Sequence, residues 1–289
     1  MDEATVGIIG GSGLYDMEGL TDREEVSVST PFGEPSGTIV LGTIEGRRLA
    51  FLPRHGAGHR LSPSEVPFRA NIFALKTLGV HSVISISAVG SLREEIQPLD
   101  MIVPDQVIDR TKGRPSTFFS GGIVAHAGFA DPFCSGLGRI LYEEATAAGA
   151  RAHLGGVYVA IEGPQFSTRA ESELYRSWGG AVIGMTALPE AKLAREAELC
   201  YALLACATDY DCWHPDHDDV TVEMIIGNLL RNVSMAKEIA RRAAARTGEP
   251  QGCRCREALR DAIVTSPDLI PDNVRRDLAP LIGKYAEAS

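Results

Sequence analysis

Aromatic residues are scarce, 6% of the chain with only two tryptophans. No apolar run approaches the ~18 residues that a membrane-spanning helix requires, so no membrane partner is expected. Positive charge is short as well: 28 Lys and Arg against 38 Asp and Glu leave a net charge of −10. A nucleic-acid backbone needs a positive field, and no basic, aromatic-laced patch supplies one, so any anion must be met locally. Six cysteines (Cys134, Cys200, Cys206, Cys212, Cys253, Cys255) are too few and too scattered for a secreted disulfide scaffold. The acidic start Met1-Asp2-Glu3 is the opposite of a basic leader, and the expected location is the cytoplasm. Most of the cysteines read as buried thiols. Cys253-Arg254-Cys255 stands apart, because a zinc site would want a second pair at the usual spacing and none follows. For that pair, reduced thiols and disulfides both remain open.

What is present is a core: 44% apolar residues in 289. No linker interrupts them, and one domain over residues 1–289 is expected, with 250–289 a helical tail that carries Cys253 and Cys255. Strands alternate with helices. Val6-Gly7-Ile8-Ile9 runs into Gly10-Gly11-Ser12-Gly13, a turn able to bring backbone N–H groups close to an anion. It lacks the third glycine of a dinucleotide loop and the Gly-Lys-Ser/Thr of a Walker loop, so phosphate loop and plain tight turn both stand. A hairpin around Glu45-Gly46 precedes Pro53-Arg54-His55-Gly56. Arginine offers oxyanions a rigid fork. Ser62-Pro63-Ser64-Glu65 predicts a capping box opening a helix to about Leu78. Ser82 to Ile86 is a strand ending in Ser87-Ala88, and Met101 to Asp109 reads as one further strand. Arg110 to Ala130 is a long loop that carries His126.

Helices are predicted near Ser135–Gly149, from Thr168 (a box with Glu171), over Pro189–Cys200 and from about Thr221 to Thr247, with one more in the tail. In the third, Glu190, Lys192, Arg195 and Glu196 are assigned to solvated faces. The strand before it ends in Met185-Thr186 and the strand after it in Thr208-Asp209-Tyr210-Asp211. Alternate residues of an extended segment face the same way, so Asp209 and Asp211 would project together, roughly 6–7 Å apart. Such a pair is either a turn closing a strand or a carboxylate couple with raised proton affinity. Ligands of open α/β sheets bind beyond the carboxyl ends of strands. Collected there, Ser12, Arg54, Ser87 and Thr186 suggest an anion cradle, Phe166 a ring for stacking, and the aspartates acceptors or acids.

Six motifs, Gly10-Gly-Ser-Gly-Leu, Pro53-Arg-His-Gly, Gly90-Ser-Leu-Arg-Glu-Glu-Ile-Gln-Pro, Glu162-Gly-Pro-Gln-Phe-Ser, Met185-Thr-Ala-Leu-Pro-Glu and Ala207-Thr-Asp-Tyr-Asp-Cys-Trp, resemble the 5′-methylthioadenosine phosphorylases of the trimeric purine nucleoside phosphorylase superfamily. The resemblance implies a mixed, twisted β-sheet flanked by helices. It also implies phosphorolysis of methylthioadenosine, with inorganic phosphate as co-substrate and neither cofactor nor metal. Carried over by position, Ser12, Arg54, His55, Ser87, Ala88 and Thr186 would bind phosphate, with His59 in support. Met185 would contact the ribose, Phe166 and Ser167 the base, and Asp209 and Asp211 the N7 and N6 edge, Asp209 as proton donor. Val222, Ile225 and Ile226 would line the 5′ pocket, closed by His126 of a neighbouring subunit in a homotrimer or a dimer of trimers. Alternatives are a 6-oxopurine-preferring (methylthioinosine) phosphorylase, a hydrolytic relative and a non-catalytic nucleoside sensor.

Overall fold

The computed structural model describes residues 3–11, 17–214, 222–248 and 252–286. Among the described residues, eleven strands form one sheet: β1 Val6–Gly10, β2 Thr21–Val26, β3 Ile39–Ile44, β4 Arg47–Pro53, β5 Ser82–Ser91, β6 Met101–Val103, β7 Gln106–Arg110, β8 Ala152–Leu154, β9 Val157–Ile161, β10 Gly180–Gly184 and β11 Cys200–Asp209. The helices are α1 Phe68–Thr77, α2 Ser135–Ala147, α3 Arg169–Ser177, α4 Ala187–Glu196, α5 Val222–Arg246, α6 Asp272–Asp277 and α7 Ala279–Ala286. The expected mixed α/β architecture is therefore present.

The sheet runs β2-β3-β4-β1-β5-β10-β9-β7, and β11 pairs with β5 on one side and β6 on the other. Strands β4, β1, β5 and β11 are mutually parallel, so their carboxyl ends open on one rim. The far end of β5 turns to meet β10 antiparallel at Ser91 and Gly90. The ten residues of β5 thus border three other strands, β1, β10 and β11, and β5 becomes the spine of that rim.

Side-chain alternation divides β1 between two cores. Ile9 joins α1, α4 and the tail, with Ile72, Leu75, Leu188, Leu193, Leu259 and Leu281. Ile8 faces the other way, toward Leu137 and Leu141 of α2 and Ile239 and Ala243 of α5. The strand β11 between them is buried throughout.

Local departures from the sequence expectation have physical causes. The Ser62–Glu65 box forms its bonds, Ser62 N and Oγ both donating to Glu65, yet the helix begins only at Phe68. Pro67 intervenes, and the residue before a proline is pushed out of helical conformation. Thr168 and Glu171 form the expected box at α3. Met101 to Asp109 is two strands, since Pro104 cannot donate to a ladder. The exposed β2 and the three-residue β8 present no apolar run that would announce a strand. The predicted helix over Pro189–Cys200 ends at Glu196, and Cys200 already belongs to β11. The tail holds two short α-helices rather than one.

Candidate active site

Gly10 and Pro53 are register partners at the ends of β1 and β4, and the Arg54 N–H donates to the Gly10 carbonyl at 2.9 Å. The glycine turn and the arginine are thus neighbours through their backbones. Arg54 is 2% exposed. Its Nε donates to Glu190 at 2.5 Å and Nη2 to the same carboxylate at 3.1 Å; Nη2 also donates to Ser85 Oγ and Nη1 to the Ile86 carbonyl. Four of the five guanidinium N–H groups are committed within the described residues, which leaves one on Nη1 for a ligand. Glu190 is a correction to the expected solvated face: it is fully buried and also accepts from Ser85 and Tyr201. Helical spacing could not reveal this, because its partner lies 136 residues away.

His55 is half-buried, and its pKa is pushed down to about 4 by burial and then by the charge of Arg54. It is neutral at pH 7. Its Nδ1 faces the Leu61 carbonyl at 2.8 Å, so this nitrogen donates, and the ring stacks on His59 at 4.1 Å. Ser87 Oγ and Thr186 Oγ1 stand 3.1 Å apart, one at β5 and one just beyond β10. Ala88 follows on β5. Three of the expected anion ligands, Arg54, Ser87 and Thr186, therefore collect at the rim. Ser12 lies outside the described residues.

Further along β5 the carboxylates appear. Asp209 is register partner to Gly90. A Cβ on Gly90 would fall 2.9 Å from Asp209 Oδ1 and 3.3 Å from Asp211 Cβ, so a side chain there has no room. Asp209 accepts from Thr208 Oγ1 at 2.7 Å and from the Asp211 N–H at 2.8 Å. Burial nevertheless raises its pKa. Asp211 sits at φ 51, a left-handed conformation tolerated best by Gly, Asn and Asp. Its pKa is pushed up to about 6 by burial, which outweighs an opposing pull from Ser172 and is aided by the lesser effect of the Asp209 charge. Oδ2 of Asp211 is buried without a hydrogen-bond partner among the described residues, and so is Ser167 Oγ. Asn228 and Asn232 of α5 clamp the strand end, donating to the Thr208 and Ala207 carbonyls.

Phe166 is exposed. Met185 packs over Gly163, whose φ of 67 and lack of a Cβ admit it. Arg114, which the sequence did not single out, holds both loops. Its Nη1 donates to the Met185 and Leu188 carbonyls at 2.6 and 2.8 Å, and Nη2 to the Glu162 carbonyl. No motif surrounds it, so only its burial identifies it. His126 is exposed and remote from this cluster in sequence; its N–H donates to Ala262 of the tail, and Val264 donates back to Val124. Val222, Ile225 and Ile226 lie on α5, but their side chains are outside what is described.

From Ile86, which binds Arg54, to Gly90, which admits the aspartates, is roughly 13 Å along β5. The two clusters thus lie along one strand, the arginine arriving from the β1 and β4 side and Asp209 from β11, a span suited to a ligand with an anionic end and a hydrogen-bonding end. Residues 5–245 match the family model of the phosphorylase superfamily. The S-methyl-5′-thioadenosine phosphorylase of Chloroflexus aurantiacus is 59% identical over 99% of both chains, and that of Koribacter versatilis 57% identical over 98% of this chain and 97% of its own. A methylthioadenosine phosphorylase crystal structure from an antarctic soil metagenomic library superimposes with a TM-score of 0.92 at 50% identity, over 97% of this chain and 99% of that one. Methylthioadenosine phosphorylase from Schistosoma mansoni, in complex with adenine, gives 0.83 at 36% identity over 89% and 97%. Matched by the family model over most of its length and more than half identical to these relatives from end to end, the chain belongs to the phosphorylase superfamily and, within it, to the S-methyl-5′-thioadenosine phosphorylases.

Proposed function

We propose that this chain, as one domain, catalyses phosphorolysis of S-methyl-5′-thioadenosine to adenine and 5-methylthioribose 1-phosphate, in purine and methionine salvage. The observation that carries the reading is the carboxyl-end half of β5, along which Arg54, Ser87 and Thr186 gather at Ile86 to Ser87 and the aspartates at Gly90. A phosphate oxygen attacks C1′ as the bond to N9 breaks, and the electron pair leaves with adenine. Arg54, Ser87, Thr186, the Ala88 backbone, His55 and Ser12 hold the phosphate. Four fixed bonds leave the Arg54 fork little freedom, which favours positioning over flexible capture. Asp209 delivers a proton at N7 while Asp211 faces the 6-amino group; buried carboxyls with raised pKa suit both tasks. Phe166 and Ser167 meet the base and Met185 the ribose. No metal or organic cofactor is needed for this chemistry.

A 5′ pocket built from Val222, Ile225 and Ile226, and closed by His126 of a neighbouring copy, requires a homotrimer or a dimer of trimers. The exposure of His126 in the single chain is compatible with that role. No helix among the described residues is long and apolar enough to cross a membrane, and a cytoplasmic location fits a small-molecule salvage enzyme.

Product analysis with and without phosphate tests the assignment. Adenine release should require phosphate and match sugar 1-phosphate mole for mole; equal turnover in water alone would assign the chain to hydrolysis. The raised proton affinity of Asp211 would permit a secondary 6-oxopurine activity. Because Asp211 holds its proton up to about pH 6, it can donate to a 6-oxo group below that pH. Methylthioinosine turnover relative to methylthioadenosine should then rise on acidification.

A further inference from the structure

Four cysteines from three distant parts of the chain converge on one point. Cys134, Cys200, Cys253 and Cys255 place their sulfurs all within 4.8 Å of one another. Cys253 Sγ lies 3.4 Å from Cys200 Sγ and 3.7 Å from Cys134 Sγ. We propose that these four residues form a mononuclear tetrathiolate metal site, occupied by zinc, that fastens the C-terminal tail to the α/β body.

A tetrahedron with Zn–S arms of about 2.3 Å has S···S edges of about 3.8 Å. The separations of 3.4 and 3.7 Å sit near that edge. A disulfide draws sulfurs to about 2.05 Å and satisfies them only in pairs, whereas here Cys253 is approached by two partners at once. One ion satisfies all four together. The span is also too tight for a multi-iron cluster, and four sulfur donors in a tetrahedron select zinc among common divalent ions.

The backbone holds the donors in place. Cys134 is the N-cap of α2, and its N–H donates to the Tyr201 carbonyl at 2.8 Å, which sets it beside the start of β11. Cys200 opens β11, its N–H bound to the His81 carbonyl at 2.9 Å. Cys253 and Cys255 straddle the start of a short 3-10 turn, Arg254–Glu257, closed by the Arg256 N–H to the Cys253 carbonyl. Cys134, Cys200 and Cys255 are buried and Cys253 is half-buried, so the site is closed to solvent on most sides, as structural zinc sites are. Cys206 and Cys212 are not members: Cys206 is buried further along β11, and Cys212 lies against the Ser167 carbonyl. Binding is a balanced exchange. Four S–H protons leave to solvent as four Zn–S bonds form, with no oxidant consumed. The unit carries a charge of −2, and Arg254 and Arg256 alternate with the tail cysteines in sequence.

The test uses full-length protein, purified anaerobically with reductant and without chelator. Elemental analysis should find one zinc per chain. After stripping, titration with cobalt should produce the thiolate charge-transfer and intense visible bands of a tetrahedral sulfur site. Cys253→Ser, the least buried change, and Cys134→Ser should lower zinc below a tenth of an ion per chain and bleach the cobalt spectrum. Cys212→Ser should leave both intact, and circular dichroism checks that each variant is folded. Any of three results overturns the proposal: wild type without zinc and with four alkylatable thiols, an intact mass four hydrogens light, or folded Cys253→Ser retaining a full zinc complement.

Discussion

Replacing Glu190 by Gln removes the counter-charge of Arg54 while preserving shape. Glu190 is fully buried and accepts four hydrogen bonds, two from the guanidinium and one each from Ser85 and Tyr201. Glutamine keeps one oxygen acceptor and turns an N–H₂ toward groups that are themselves donors. An uncompensated guanidinium then sits where only 2% of the residue reaches water. Breaking one side of a buried pair costs about 3–5 kcal/mol, and for a chain of this length that lowers Tm by roughly 10 °C. Phosphate offers the stranded charge a new partner, so added phosphate should raise the variant's Tm more than the wild type's. Denaturant unfolding with and without phosphate, followed by KM for phosphate, measures both effects. A loss under about 1 kcal/mol, with no difference in response to phosphate, would refute the idea that this pair holds the arginine.

Other expectations concern the far end of β5 and the loops above it. Asp209→Asn should cut methylthioadenosine turnover at least a hundredfold and leave the fold intact by circular dichroism; an unchanged rate removes Asp209 from the mechanism. Asp211 has a folded pKa of about 6 against an ordinary 3.8, so its proton favours the native state at low pH. That contribution is complete below about pH 4 and is lost as pH rises through 6. Asp211→Asn should therefore stabilise the protein at pH 8 by about 2–3 kcal/mol while lowering activity, as denaturation at pH 4 and pH 8 would reveal. Gly90→Ala puts a methyl 2.9 Å from Asp209 Oδ1 and 3.1 Å from Ile183 Cγ2; it should cost about 1–3 kcal/mol and depress kcat more than phosphate KM. Arg114→Met frees the Met185 and Glu162 loops and should raise nucleoside KM more than phosphate KM, with kinetics against each substrate deciding.

Strand ends were readable because buried strands announce themselves as apolar runs, and polar residues stopping such runs mark a rim. That logic marks Arg54, Ser87, Thr186, Asp209 and Asp211 as rim residues. It failed where meaning depends on partners distant in sequence. Glu190 looks like any charged helical residue until Arg54 arrives from β4. Arg114 lies in an irregular loop with no periodicity, and its value comes from carbonyls of two other loops. The tail cysteines lack a second pair by spacing, because the completing residues stand at a helix N-cap and a strand start. Short strands such as β8 contribute too few residues for alternation to register.

The small bridge between Ala125 and Ile263, with its flanking bonds at Val124 and His126, makes a loop midway through the chain depend on residues near its end. Shortening the protein from its carboxyl terminus would consequently be felt more than a hundred positions upstream, at the histidine rather than at the cut. Exchange of tails between relatives would transplant the posture of that loop along with them.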